Sequence, residues 1–309
     1  MTTYAVLFPG QGSQAVGMGA DVFAARPDLL GPGADAVLGW SLAGVVADGP
    51  EDELTRTDRA QPALYSTAFA LYEAFAAAVD HPPAAAAGHS LGEYTALAAA
   101  GAFGYWDGLR LVAARGTAMD AAARLGDSGM AALVGADVAT AEMIAGHRTF
   151  DGGKLWVANV NAPNQVVVAG GAQDLDWLEE NAREMGARRV VRLKVAGAFH
   201  TPFMAPALES LRVALGDVEF GEPAFPVYAN ATGRPITDIP LQLAEQLVGR
   251  VRFAESLERM AAAGIATFVH IGPGDVTAGL AKRSVKGADV VVVSRLEDVP
   301  AAAARLSVQ

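Results

Sequence analysis

Five residues, Gly88-His89-Ser90-Leu91-Gly92, constrain this chain more than any other stretch. They follow the small apolar run Ala84 to Ala87 and precede Glu93 to Ala100, a helix-forming run stopped by Gly101. Strand, tight turn and helix in that order make G-x-S-x-G a nucleophile elbow, a sharp turn that lifts a serine above the sheet. The glycines permit a turn that a Cβ would obstruct. The serine then stands where the free N–H groups and positive dipole end of a helix favour negative charge. The pattern alone is weak, because 34 of 309 residues are glycine and chance supplies it in roughly one such chain in eight. Its weight comes from its flanks and from partners elsewhere.

The first of those flanks is the N-terminus. Tyr4 to Phe8 reads as a strand running into Pro9-Gly10-Gln11-Gly12-Ser13-Gln14. A first strand that enters a glycine-rich turn is where α/β folds turn backbone toward a ligand, or simply where a strand meets a helix. The G-x-x-x-x-G-K-[ST] spacing of a phosphate loop is absent. Pro62 to Val79 reads as a helix, with Pro62 at its start. Trp106 to Leu125 reads as another, and on it Leu111, Val112, Ala118 and Met119 lie three or four residues from Arg115. Arg115 therefore sits within the apolar stripe. No carboxylate stands at those spacings. A guanidinium on a buried face needs an anion, either a distant Asp or Glu of the fold or a ligand.

From Met130 the rhythm changes. Strands at 130–134, 154–160, 165–169 and 188–195, with helices at 139–147 and 175–185, follow the order β-α-β-β-α-β of a ferredoxin-like unit. This places a small subdomain at 127–195 inside a core made of 1–126 and 196–309. Strands at 226–228, 267–271 and 290–293 alternate with helices at 241–247, 253–263 and up to Arg283. That alternation predicts a mostly parallel, helix-covered sheet, so the fold class is α/β. The chain leaves the insert through Gly197-Ala198-Phe199-His200-Thr201-Pro202, where Thr201 suits an N-cap and Pro202 the first helical position. His200 lies in the loop just before, outside any apolar stripe, a candidate base beside the reading as an ordinary loop histidine.

Bulk properties narrow the rest. The net charge of −11 argues against general nucleic-acid binding. Without cysteine there is no disulfide, thiolate metal site or cysteine nucleophile. The N-terminus lacks the basic and apolar regions of a signal peptide. Gly, Pro or charge breaks the Ala-rich runs before transmembrane length. A cytoplasmic protein with neither membrane nor metal is the expectation.

Four separated segments then meet in one resemblance: Gly10-Gln11-Gly12-Ser13-Gln14, Gly88 to Glu93, Arg115-Gly116 with Met119, and Gly197-Ala198-Phe199-His200. Asn159-Val160-Asn161-Ala162-Pro163 and Ile271-Gly272-Pro273-Gly274 add to it. In this order, over almost the whole chain, the sequence resembles the malonyl-CoA:acyl-carrier-protein transacylases of fatty-acid synthesis and the acyltransferase domains of polyketide synthases. The resemblance implies a hydrolase-like α/β core with a ferredoxin-like insert, as read above. It implies a malonyl group moved from malonyl-CoA to the phosphopantetheine thiol of an acyl carrier protein, by a monomer without cofactor.

It also implies roles. Ser90 is the nucleophile and His200 the general base and acid. The backbone N–H groups of Gln11 and Leu91 form the oxyanion hole. Arg115 binds the malonyl carboxylate, which supplies its missing anion; a serine thioesterase of similar fold has no such arginine. A main-chain carbonyl, placed at Gly249, orients the histidine. Asn161 and Phe199 lie near the pocket, the Ala198-Phe199 pair resembling that of malonyl-selective members. Arg250 stands where the family usually has proline, so a looser loop is expected there. The carrier is acidic, so docking needs a local basic patch. Candidates are Arg188, Arg189, Arg192 and Lys194 on the insert and Lys282, Arg283 and Lys286 near the end.

Overall fold

The structure, a computed structural model, describes residues 2–307. Its strands are β1 (Tyr4–Phe8), β2 (Ala85–Gly88), β3 (Ser128–Val134), β4 (Leu155–Ala162), β5 (Gln165–Gly171), β6 (Arg189–Arg192), β7 (Val227–Tyr228), β8 (Thr267–Ile271) and β9 (Asp289–Val293). Five of them form a sheet of order β7-β2-β1-β8-β9 in which every pairing is parallel. Every residue of β1 and of β8 is buried. This is why β1 reads as an unbroken apolar run, since helices cover a parallel sheet on its two faces. β8 carries two buried polar residues, Thr267 and His270, the latter hydrogen-bonded to Thr277 and to the Gly272 carbonyl. β1 and β2 end side by side, Phe8 opposite Gly88. Their two glycine-rich turns therefore emerge together at the carboxyl edge of the sheet, where open α/β sheets hold their ligands.

The remaining strands form an antiparallel sheet of order β4-β5-β3-β6, the pairing of a ferredoxin-like unit. Its side chains alternate between two cores, as a period of two requires. Ala131, Leu133, Val166 and Val168 pack with the helices Val138–Phe150 and Ala172–Asn181. Met130, Val167 and Ala169 point the other way, into the core that the long helices share. β4 is also tied to the chain beyond the insert. The Val160 N–H donates to the Val251 carbonyl at 2.9 Å, and the Val251 N–H to that of Ala158 at 2.8 Å.

Several element ends differ from the sequence reading by a few residues, and two of the differences are informative. The helix assigned to begin at Pro62 begins at Thr57 and runs to Ala78, with Pro62 inside it. A proline so near the start forfeits only one carbonyl partner, at residue 58, and the extra turn carries Gln61 into the buried interior. β6 covers Arg189–Arg192 rather than 188–195. Leu193 donates once more, to the Met130 carbonyl at 2.9 Å, and the chain then leaves the ladder. Among the described residues no single helix is long and apolar enough to cross a membrane.

Candidate active site

The elbow is built by backbone crowding. A Cβ on Gly88 would lie 1.8 Å from the carbonyl carbon of Gly92, and one on Gly92 would lie 2.3 Å from the carbonyl oxygen of Phe8. Neither space admits a side chain. Ser90 between them adopts φ 52°, the left-handed region that non-glycine residues rarely occupy. Such strain persists only where neighbours overdetermine it, and here they do. Asn230 Oδ1 accepts from the Ser90 N–H at 2.7 Å while Asn230 Nδ2 donates to the Gly88 carbonyl at 2.8 Å. Gln246 Nε2 donates to the Ser90 carbonyl at 2.9 Å.

His200 is 4% exposed, and its Nε2 lies 2.7 Å from Ser90 Oγ. It too has a positive φ, 59°. Thr201 behind it caps the short tight helix Pro202–Ala207, its Oγ1 accepting from the Phe203 N–H at 3.3 Å. The His200 Nδ1 lies 2.8 Å from the main-chain carbonyl of Gln246. A carbonyl only accepts, so Nδ1 carries the proton and Nε2 presents its lone pair to the serine hydroxyl. Burial, then the Arg115 charge, lower the His200 pKa to about 3, so the ring is neutral across the physiological range.

The orienting carbonyl is thus that of Gln246, not of Gly249 as expected. The helix Ile239–Val248 ends with Gly249 as its C-cap. The carbonyls of a helix's last turn have no intrahelical partner and carry its negative dipole end. Gln246 lies in that turn, whereas Gly249 is already outside it in extended conformation, φ −125° and ψ 166°. Nor is the following loop loose. Arg250 Nη1 pairs with Glu142 Oε1 of the insert at 2.7 Å, and Val251 holds the β4 contacts described above.

Arg115, on the helix Tyr105–Ala123, is 1% exposed. Its Nη1 donates to Gln61 Oε1 at 2.7 Å, and its Nη2 to Gln246 Oε1 at 2.9 Å and to Ser90 Oγ at 3.0 Å. Its guanidinium packs over the Tyr94 ring, 5.3 Å from the centroid. Every hydrogen-bond partner is neutral. Burial holds its pKa below the ordinary value, which is the physical sign of a cation short of an anion.

These groups meet in a cavity of about 180 Å³. The parallel-sheet side contributes Gln11, Ser90, Leu91 and Arg115, and the insert contributes Met130, Asn159, Asn161 and Val167. Phe199 and His200 lie between them, and Val276 and Leu280 form another wall. Gly10 is packed against the elbow, since a Cβ there would come 2.3 Å from the His89 carbonyl oxygen. Among the described residues, neither the Gln11 N–H nor the Leu91 N–H donates to a protein acceptor. Asn161 lines the cavity, and its Oδ1 lies 2.7 Å from His89 Nε2. His89 itself packs edge-on to Phe253. It hydrogen-bonds to Asn161, and the hydrogen bonds of the Ser90 hydroxyl go to His200 and Arg115 instead.

The structure also brings in residues to which the sequence reading gave no role. Gln61, Gln246, Asn230 and Glu93 are all buried around the elbow. Glu93 had a visible signal, its place directly after G-x-S-x-G, whereas the three amides had none.

A strained serine and a neutral histidine at the carboxyl edge of a parallel sheet put this chain among the hydrolase-like α/β proteins. Within that class it belongs to the acyl transferase domain family, whose family model matches residues 5–302. It is 38% identical over 304 residues to the malonyl CoA-acyl carrier protein transacylase of Bacillus subtilis (strain 168), covering 97% of this chain and 96% of that one. The solved structure of the malonyl CoA-acyl carrier protein transacylase from Coxiella burnetii matches with a TM-score of 0.94 at 32% identity, over 99% of this chain and 98% of the other. A malonyl-transacylase solved in complex with its type II PKS acyl-carrier protein matches with a TM-score of 0.93 at 34% identity, over 98% and 100%.

Proposed function

We propose that this protein moves a malonyl group from malonyl-CoA to the phosphopantetheine thiol of an acyl carrier protein through a malonyl ester on Ser90. The observation that carries the reading is Arg115: a buried guanidinium 3.0 Å from Ser90 Oγ whose hydrogen-bond partners are all neutral. Its planar fork suits a carboxylate. A malonyl group brings that carboxylate, and an acetyl group would leave the charge buried and unpaired.

In this reading His200 Nε2 takes the Ser90 proton as Oγ attacks the thioester carbonyl. The negative oxygen of the tetrahedral intermediate is held by the Gln11 and Leu91 N–H groups, whose lack of a protein acceptor supports the role. The imidazolium gives its proton to the departing CoA thiolate. The carrier thiol enters next, His200 takes its proton, and the thiolate displaces Ser90 Oγ, which recovers a proton from His200. The Gln246 carbonyl at a helix C-terminus supports the imidazolium while it lasts.

The division of labour follows the proposed domains. Residues 1–126 and 196–309 are the catalytic core, and 127–195 is the small subdomain that roofs the cavity. Phe199 and Asn161 border the acyl pocket. The carrier approaches where the cavity lining is exposed, at Leu193 and Val276, whose chain neighbourhoods carry exposed Lys194 and exposed Lys282 and Arg283. Arg192 contributes less, being paired with Asp176 and Glu179 at 2.6 and 2.9 Å. The protein works as a cytoplasmic monomer, without nucleic acid or membrane, and the net charge of −11 supports the first exclusion.

Incubation with malonyl-CoA followed by intact-mass measurement tests the reading. The expected result is a malonyl adduct, lost in Ser90→Ala and discharged by a phosphopantetheinylated carrier. A protein that takes no adduct, or discharges it only to water, is not this transferase.

A further inference from the structure

Glu93 is the first acidic residue after the elbow and is fully buried. One oxygen, Oε2, accepts from Gln246 Nε2 at 2.8 Å and from the Asn230 N–H at 3.0 Å. The other, Oε1, is buried without a partner. A carboxylate oxygen out of water with no donor is costly when charged and cheap when protonated. The two residues that Oε2 holds are those that fix the Ser90 carbonyl and N–H.

Gln246 also connects Glu93 to Arg115. Its Nε2 faces the Glu93 carboxyl while its Oε1 accepts from Arg115 Nη2 at 2.9 Å. The amide can point only this way, because the guanidinium offers only donors. Arg115 and Glu93 are therefore opposite charges bridged by one neutral amide. The charged and titratable groups facing Glu93 are Arg115, from the helix Tyr105–Ala123, and Tyr94, its neighbour on the elbow helix. The helix Ile239–Val248 and the segment after β7 offer it an amide and a backbone N–H. Burial raises the Glu93 pKa to about 7, against the pull of those donors and of Arg115.

We propose that Glu93 is a positioning residue that takes up a proton when a carboxylate-bearing acyl group binds Arg115, leaving the guanidinium charge to the substrate. The inference rests on the malonyl reading of the site. A second carboxylate on Arg115 withdraws the charge that favours ionised Glu93. The solvent proton goes to Oε1, and the two bonds to Oε2 stay in place. The site thus holds one carboxylate against one guanidinium before and after loading, and the elbow keeps its support.

The test is calorimetric binding of malonyl-CoA and of acetyl-CoA to Ser90→Ala, near neutral pH, in buffers of different ionisation heat. The expected result is a substantial fraction of a proton taken up per malonyl-CoA bound and none per acetyl-CoA. Adding Glu93→Gln abolishes the uptake, and adding His200→Ala does not. Equal uptake with both donors overturns the proposal, as does uptake that survives Glu93→Gln. Should Glu93→Gln fail to fold, the His200→Ala background decides, since loss of uptake there assigns the proton to the histidine. Intact mass of the native enzyme separates the two readings: no malonyl adduct defeats the transfer itself, whereas an adduct without proton uptake defeats only the role of Glu93.

Discussion

The Nδ1 of His200 lies 2.8 Å from the main-chain carbonyl oxygen of Gln246. The histidine is thus oriented by a dipole, with no carboxylate beside it to hold a proton on the ring. Burial, first, and the Arg115 charge, second, hold its folded pKa at about 3, against about 6.5 in an unfolded chain. Between those values the unfolded chain binds a proton that the folded one does not, so this residue destabilises the fold as pH falls and has no such effect above about pH 6.5. As the proposed base, His200 is correspondingly unprotonated at mildly acid pH. We expect kcat/KM for malonyl loading to hold or rise as pH falls from about 7 to about 5. A tenfold loss per pH unit over that window, measured by stopped-time acylation, would assign the base an ordinary pKa.

Arg115→Ala removes the buried guanidinium proposed to select a carboxylated donor. A buried charge deprived of its partner costs about 3–5 kcal/mol, so kcat/KM for malonyl-CoA should drop by roughly two to four orders of magnitude. Acetyl-CoA should lose far less, having had no charge to offer. Acylation rates with both donors check this. Equal losses would mean that Arg115 acts through Ser90 Oγ and not through the acyl carboxylate.

Gly92→Ala should not yield a folded protein, because its Cβ would fall 2.3 Å from the Phe8 carbonyl oxygen, on backbone that has nowhere to move. We expect a loss above about 4 kcal/mol, in the range that marks a core clash. Gly126→Ala is the control: nothing lies within 4 Å of the added methyl, and its denaturation midpoint should match the parent's. A folded Gly92→Ala would mean that β1 and the elbow can part.

Arg250→Ala breaks a 2.7 Å pair with Glu142 in which the carboxylate is 51% exposed. Pairs of this kind contribute about 0–1 kcal/mol. Val251 still ties the loop to β4, so acylation should stay within about fivefold of the parent, the most that about 1 kcal/mol accounts for. A larger fall would show that the ion pair, and not the strand contact, holds Gln246 beside His200.

Much of this was legible in the sequence. A run such as Tyr4–Phe8 announces a strand because burial on both faces leaves little room for polar residues, and Thr267–Ile271 buries its two polar residues with His270 hydrogen-bonded to Thr277. The change of rhythm at Met130 announces the antiparallel insert. Ser90, His200 and Arg115 carry chemistry in their side chains, so their spacing and setting single them out. The orienting carbonyl was misplaced by three residues because every residue has a carbonyl, and only the end of a helix decides which is free. The helix start at Thr57 was missed because Pro62 is compatible with either position. Gln61, Gln246 and Asn230 were invisible for another reason. A buried amide is chosen by what surrounds it, and that surrounding comes from elements far apart in the chain.

The alternation along β3 and β5 has a practical side. Met130 and Val167 border the acyl cavity, while Ala131, Leu133, Val166 and Val168 fill the insert's own core on the reverse of the same strands. Widening the cavity from that side pushes on a sheet packed on both faces, so broader donor range and lower thermal resistance will arrive together. Val276 is different: it borders the cavity yet is 44% exposed. A directed-evolution campaign for bulkier acyl groups has a cheap wall and an expensive one, and should begin at the helix Val276–Ser284.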